Sequence, residues 1–586
     1  MSPPVDHAAK RSARPPRKIA RPRLTAAAWI GENDLPSSKE IGPPLETITV
    51  ILFLLLAVIL SGIVSRAVPL PFPRPLFQIA LGAVIGLVAD WRVTLDPQIF
   101  FLLFLPPLLF LDGWRIPREG LFKDGKTVLE LALGLVVFTV VGMGLFINWM
   151  IPSMPLPVAF ALAAVVSPTD PIAVAAIARR APIPKRMMHI LEGESLLNDA
   201  SGLVCLRFAV AAALTGTFSI HDAALNFLWV AFGGIAIGTG LTWGVGALKG
   251  WISRRYGEEG GSQILISLLI PFGSYLLAEH LHCSGILAAV AAGLTMGFVE
   301  TRGEIAAITR IRRNTVWDTI QFTANGIIFV LLGEQLPGIL AGAAETVRVT
   351  GHHEPWWLAI YVVAINLGLA ALRFAWVWVS FRLTLFRAGE PQRTPNWRIV
   401  AAMSFAGVRG AITLAGVLTL PLMMRDGAPF PARDLAIFLA MGVIIVSLIA
   451  ASIGLPMLLR GLEMPEEPSH LAAEDEARIA AAQAAIRAIQ QVEHEMAEGR
   501  GDADLYVAAA SRIMDAYRQR IESRQGDPEE KASVKLIERI ERDLRLAALR
   551  AERVEIFQMV QRRQLGSEIA RKLVRELDLL EARYAV

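Results

Sequence analysis

Cysteine is nearly absent from this 586-residue chain: there are two, Cys205 and Cys283, both in apolar surroundings. That excludes a disulfide framework and leaves too few sulfur ligands for a structural metal site. Charge is scarce as well. Charged residues make up 19% of the sequence and hydrophobic ones 54%, with a mean hydropathy of +0.48, whereas soluble domains carry about 25% charge. An ordinary soluble protein is therefore excluded. The net charge of +4 is too modest to imply nucleic acid as a partner. No nucleophile–base pair or metal-ligand spacing occurs within the apolar stretches, which argues against an enzyme, and nothing calls for a cofactor. Repeated filter sequences or rings of pore charges, which a channel would want, are also missing. The N-terminus is basic (Arg11, Arg14, Arg17, Lys18, Arg21, Arg23) but Pro-rich, and polar residues separate it from the first apolar run. It lacks the usual form of a signal peptide.

The charge that is present is unevenly placed. From Met464 to Val586 there are 24 acidic and 20 basic residues in 123 positions, leaving 29 acidic residues for the first 463. Three parts follow: a disordered basic tail over residues 1–42, a transmembrane body over 43–462 and a charged helical tail over 463–586. A membrane-spanning helix needs about 20 mostly apolar residues. Thirteen windows qualify, roughly 45–64, 74–89, 97–112, 127–150, 157–178, 188–213, 223–246, 263–279, 284–299, 315–334, 357–381, 399–421 and 434–459. The fold class is thus an all-α polytopic membrane protein of about thirteen transmembrane helices.

The links between windows alternate in charge. With an external N-terminus, the cytoplasmic links hold 21 basic residues, among them Arg66, Arg115, Arg179, Arg254, Arg313 and Arg387. The opposite links hold only Arg92, Arg348, Arg425 and Arg433. This is the positive-inside bias, and it puts the C-terminal tail in the cytoplasm. The basic stretch before residue 24 would then lie outside, against the same rule. Trp91, Trp149, Trp356, Trp357 and Trp397 fall near span ends, as interfacial anchors do. In the tail, Ile537, Ile540, Leu544, Ala547, Ala551 and Val554 follow 3-4 spacing, which predicts an amphipathic helix whose stripe a helical partner would bury. A marginal helix with a solvated face fits the same pattern.

Two apolar windows contain groups that do not belong in lipid. The sixth carries Leu-Glu-Gly-Glu-Ser-Leu-Leu-Asn-Asp-Ala-Ser-Gly over 191–202, and the fifth carries Ser-Pro-Thr-Asp-Pro over 167–171. A carboxylate at that depth costs about 2.5–3.5 kcal/mol on insertion scales, so intramembrane acids point to function. Pro168 and Pro171 each lack an amide hydrogen and clash with the preceding turn, which interrupts the fifth helix. Freed carbonyls survive in a membrane only when buried in protein or facing a water-filled cavity, and there they can bind a cation. Asp170 adds a carboxylate and Thr169 a hydroxyl; a proline kink with Asp170 as a helix cap is the plainer alternative. In the sixth window Ser195 and Asp199 share one helix face, and Glu194 and Asn198 form the neighbouring i, i+4 pair. Desolvated Asp199 is satisfied by a proton or by a cation, but not by both at once, which suffices to couple two fluxes. Glu194 suits a structural ion pair better. Its counter-charge is Arg373, in the eleventh window, or Arg409, in the twelfth, where Gly407 and Gly410 weaken the helix. A Gly-interrupted window mirroring a Pro-interrupted one points to an inverted repeat.

Taken in order, Ser-Pro-Thr-Asp-Pro, Glu-Gly-Glu-Ser-Leu-Leu-Asn-Asp, an arginine late in the apolar body and Gly-Val-Arg-Gly-Ala-Ile resemble the sodium/proton exchanger family over residues 45–460. The resemblance is to its bacterial form with a long cytoplasmic tail. It implies inverted repeats with crossing broken helices at the fifth and twelfth spans, elevator-like alternating access, a homodimer, and a cell (inner) membrane location. By the same resemblance Asp199 carries the cation or proton, with Asp170, Thr169 and Ser195 helping to coordinate the ion. Asn198 stands where electrogenic relatives have a second acid, so one cation would be exchanged for one proton. Glu194 and Arg373 match the family's structural ion pair, and Arg409 its arginine of the twelfth span. The cation is sodium, with potassium or lithium as alternatives. One departure stands out. Where relatives often carry an acid four residues after Pro106-Pro107, this chain has Leu111, and the acid, Asp112, comes one residue later. One residue turns a side chain about 100° around a helix, so Asp112 is expected in the cytoplasmic funnel and not as a ligand.

Overall fold

The computed structural model describes residues 44–68, 72–88, 97–116, 130–171, 174–175, 185–216, 220–257, 259–300, 307–342, 356–387, 396–424, 426–460, 470–498, 503–525 and 528–584, with a few isolated positions. The basic N-terminal tail and Trp91 lie outside the described residues. The chain divides into two compact units, up to Leu462 and from Glu463 onward.

The first unit is helical throughout, and no strand is present among its described residues beyond a single bridge between Met423 and Pro429. In order the helices are α1 (Pro44–Ala67), α2 (Arg74–Val88), α3 (Pro97–Arg115), α4 (Glu130–Met150, opening with a π-turn), α5 (Leu156–Val166), α6 (Lys185–Thr215) and α7 (Ile220–Tyr256). They continue with α8 (Gly260–His280), α9 (Gly285–Glu300), α10 (Ala307–Ala341), α11 (Trp356–Arg387), α12 (Trp397–Phe405), α13 (Ala411–Leu418) and α14 (Arg433–Leu459). Each of the thirteen apolar windows overlaps one of these helices. Eight helices are long and apolar enough to cross a bilayer, while α2, α5 and α9 are apolar but shorter. The outward faces of α1, α4, α7 and α8 are lined with exposed Ile, Leu, Val, Phe and Trp, as lipid-facing surfaces are. Trp149, Trp356 and Trp397 are exposed at helix ends.

Packing separates these helices into a scaffold bundle (α1–α3 and α7–α10) and a second bundle (α4–α6 and α11–α14), with sparse contact between them. The three largest seams of the scaffold are α7 against α9 and the pair α2 against α10 and α3 against α9. Lipid offers no hydrophobic drive for helix pairing, so close backbone approach at small residues supplies the packing. A Cβ on Gly333 would run into the Ile79 carbonyl, and one on Gly293 into the Phe110 carbonyl. A repeat relating the first six spans to the last six converts α2 into α9 and α3 into α10. It therefore maps one seam onto the other, as an inverted repeat requires. One position departs from the sequence reading. Arg313, counted above among the cytoplasmic loop residues, is fully buried within α10. It pairs with Glu300 and lies 4.8 Å over the Trp114 ring, and the Trp114 indole N–H donates to the same carboxylate at 2.8 Å.

The second unit contains α15 (His470–Ala497), α16 (Ala503–Gln525), α17 (Pro528–Gln561) and α18 (Ser567–Tyr584). α15 packs on α16 and α17 on α18. Of the two readings of the stripe, the solvated face is the one seen: Ile537, Ile540, Leu544 and Val554 are all exposed. α18 turns back at Gly566 and ends at Tyr584, whose hydroxyl meets Arg545, so Ile537 and Ile540 lie beyond its end, while Val554 lies within its reach and stays exposed. α18 engages the face that carries Leu549 and Arg553, the latter paired to Asp578 at 2.7 Å and to Glu581.

Since the α2–α10 seam is backbone against backbone, Gly333→Leu is expected to cost about 1–3 kcal/mol or more. It should lower the thermal midpoint of detergent-solubilised protein followed by tryptophan fluorescence. Gly261→Leu, at a position with open space around it, should leave the midpoint unchanged.

Candidate functional site

The site is built where two helices break and cross. α5 stops at Val166, residues 167–170 are extended or bent, and helix resumes at Pro171. Proline suits a first helical position because no amide hydrogen is needed there. α12 stops at Phe405 and α13 starts at Ala411, with a non-helical stretch between. Each break supplies what the other lacks. The Asp170 amide donates to the Val408 carbonyl at 2.7 Å. The Arg409 guanidinium donates through Nε to the Val166 carbonyl at 2.9 Å and through Nη1 to the Gly407 carbonyl. It thereby sets a positive charge on the carbonyl end of α5, the electronegative end of a helix. Its own amide is held by the Ser447 hydroxyl of α14 at 3.2 Å. The Asp170 carboxylate in turn sits against Gly410, at the N-terminal, electropositive end of α13. A Cβ at 410 would overlap that carboxylate, so only glycine fits.

α6 passes beside this crossing and presents two polar faces. On one, Glu194 receives a bidentate pair from Arg373, at 2.5 and 2.7 Å. Arg373 spends its remaining Nε–H on the Met403 carbonyl at 2.9 Å. Thr169 donates to Glu194 at 3.2 Å, and Asn198 Nδ2 to Thr169 Oγ1 at 3.0 Å. All four side chains are buried. Of the two counter-charges open to Glu194 in the sequence, Arg373 is the one used, and Arg409 serves backbone carbonyls instead. Asn198 belongs to this bracing face; it does not line the cavity.

The other face of α6 turns Ser195 and Asp199 into a cavity of about 30 Å³. Asp170, Thr169 and Asp112 line it too, with the start of α13 and Asn325 of α10. That volume matches about one water or one partly dehydrated small ion. Asp112, read in the sequence as a supporting residue without a ligand role, reaches this cavity. Leu105, Leu108, Leu109 and Asp112 occupy positions i, i+3, i+4 and i+7 of α3 and together face the cavity, while Leu111 is fully buried on another face. The one-residue displacement thus brings the acid to the same cavity as Asp170 and Asp199. Asn325, Ser447 and the amino end of α13 were missed in the sequence. A lone asparagine before Gly326 in an apolar run was the only signal for the first. Among the described residues no group of three His, Cys, Asp or Glu side chains has the arrangement of a metal centre.

Known proteins bear on this geometry. A family model described as the transmembrane sodium/hydrogen exchanger matches residues 51–461. An Escherichia coli (strain K12) protein named as an uncharacterised sodium/proton exchanger is 43% identical over 546 residues, which is 92% of this chain and 99% of that protein. A Bacillus pumilus protein named as a sodium, potassium, lithium and rubidium/proton antiporter is 37% identical over 550 residues, 92% of this chain and 78% of the relative. The solved structure of a sodium proton antiporter from Methanocaldococcus jannaschii superposes with a TM-score of 0.51 at 20% identity, covering 71% of this chain and 99% of that one. The last is a likeness of fold.

Removing one partner of a buried ion pair strands the other. Arg373→Met is therefore expected to destabilise the solubilised protein by about 3–5 kcal/mol. The double replacement Glu194→Met with Arg373→Met should recover part of that loss, read as thermal midpoints of the two variants side by side.

Proposed function

Because the chain belongs to the sodium/hydrogen exchanger family, we propose that it exchanges a monovalent alkali cation for a proton across the cell membrane, with both competing for Asp199. The observation that carries this reading is the single-ion cavity shared by Asp199, Asp170, Ser195 and Thr169 at the helix crossing. A carboxylate buried there is neutralised by a proton or by a cation. Occupancy by one excludes the other, so the cation moves one way only if the proton moves the other. Ser195 and Thr169 contribute neutral oxygens, and Asp170, set on the amino end of α13, contributes charge. The exchange is electroneutral: Asn198 stands beside Asp199 and carries no second proton.

Sodium is the leading substrate, and the Bacillus relative named for four alkali cations supports a range extending to potassium and lithium. Alternating access is a displacement of the bundle holding α5, α6 and α13 against the scaffold. The glycine seams make the scaffold rigid, and the contact between bundles is sparse. We assign the chain to the inner membrane as a homodimer, with residues 463–586 as a cytoplasmic, regulatory tail.

The test is proton movement in inside-out vesicles, followed with a fluorescent pH-gradient probe as sodium, potassium or lithium is added. Wild type should dissipate the gradient and Asp199→Asn should not, and the wild-type rate should be unaffected by clamping the membrane potential. Equal responses from both proteins would remove Asp199 from the role of carrier, and a potential-dependent rate would overturn electroneutrality.

A further inference from the structure

Among the polar groups lining the cavity, Asn325 of α10 and Asp112 of α3 come from the scaffold bundle, whereas Asp170, Ser195 and Asp199 come from the bundle of broken helices. Asn325 is the uncharged one of the two. Its Oδ1 is shut off from solvent and accepts no hydrogen bond from the protein. A buried carbonyl oxygen without a donor is costly, and one lining a cavity with three carboxylates, Asp112, Asp170 and Asp199, adds like partial charge. Asn325 is flanked along α10 by Ala324 and Gly326, with Phe322 and Ile328 one turn away on either side. A leucine there would satisfy the packing with no polar cost. A cation in the cavity would give this amide oxygen a partner.

Resting on the exchanger reading above, we propose that Asn325 is a ligand to the transported cation and determines which alkali ions are carried. Its Oδ1 adds a neutral oxygen to a site otherwise dominated by carboxylates. Neutral carbonyl dipoles raise the coordination number without deepening the charge imbalance, and their number and field strength bear on discrimination between potassium and sodium. Larger, more weakly hydrated ions gain relatively more from such a ligand, because a carboxylate-only site favours the small ions. The ligand's position on the scaffold has a second consequence. A displacement of the broken helices carries Asp199 away from Asn325, so the full ligand set exists in one access state only. The cation thus binds more tightly in that state, while a proton on Asp199, which needs no other ligand, does not make this distinction.

The experiment uses the full chain in inside-out vesicles, with concentration series of potassium, sodium and lithium chloride for wild type, Asn325→Leu and Asp199→Asn. For Asn325→Leu the apparent KM for potassium should rise roughly tenfold, the weight of one polar contact to a charged group. The rise for sodium and lithium should be several-fold smaller. A packing role would lower the maximal rate for all three ions alike. Unchanged KM values and an unchanged order of ions therefore overturn the proposal, whatever happens to the rate. If Asn325→Leu does not reach the vesicles, Asn325→Ala is read in the same way. The exchanger reading is judged separately: if wild type moves no protons on addition of any cation, or Asp199→Asn matches wild type, that reading fails and the ligand assignment falls with it.

Discussion

The structure depends on the mutual repair of two broken helices. A helix interrupted inside a membrane leaves backbone donors and acceptors that water cannot reach, each costing several kcal/mol in hydrocarbon. Here the breaks cross, and the damage in one is met by the other. The Asp170 amide finds the Val408 carbonyl, and Arg409 finds the carbonyl end of α5. Asp170 itself rests on the amino end of α13, through the space left by Gly410. Neither break is tolerable alone. Together they place a carboxylate, freed backbone and a helix end around one small cavity, which is what binding a dehydrated cation requires.

The bracing of α6 follows from the same constraint. One face of this helix is committed to Glu194, Arg373, Thr169 and Asn198, a buried hydrogen-bonded network that fixes both the azimuth of α6 and the position of the break in α5. The other face is thereby fixed toward the cavity, and Ser195 and Asp199 project into it. Thr169 joins the two functions, since it donates to Glu194 and also lines the cavity. Around this bundle the scaffold is assembled by a different rule. Its seams are made by glycine and bare backbone, so they resist sliding, and the sparse contact between the bundles is where relative motion is least opposed.

Much of this was legible in the residues. Apolar windows of adequate length mark the all-helical membrane class and roughly where the helices lie, because only a helix satisfies its own backbone in lipid. Pro168 and Pro171 mark one break, and Gly407 and Gly410 the other. The i, i+4 spacing of Glu194 with Asn198 and of Ser195 with Asp199 gives two faces of one helix. What spacing does not give is which face meets which neighbour. Whether Asp112 reaches the site is open in the motif and is decided by its stripe with Leu105, Leu108 and Leu109, which faces the cavity. The 3-4 stripe around Ile540 fits a paired helix and a solvated face alike, and the structure has it exposed, beyond the end of α18.

The sequence by itself determined the class of molecule, the two helix breaks and the set of acids that cannot lie in lipid without a partner. These are consequences of local chemistry: hydropathy over a span, a missing amide hydrogen, a charge in an apolar run. Only the tertiary structure decided that Arg373 and not Arg409 neutralises Glu194, that Asn198 braces while Asp112 lines the cavity, and that Asn325 reaches it from the scaffold. Those outcomes depend on crossing angle and helix rotation, which are set by contacts between residues as far apart as Glu194 and Arg373 in the chain. No local pattern encodes such contacts.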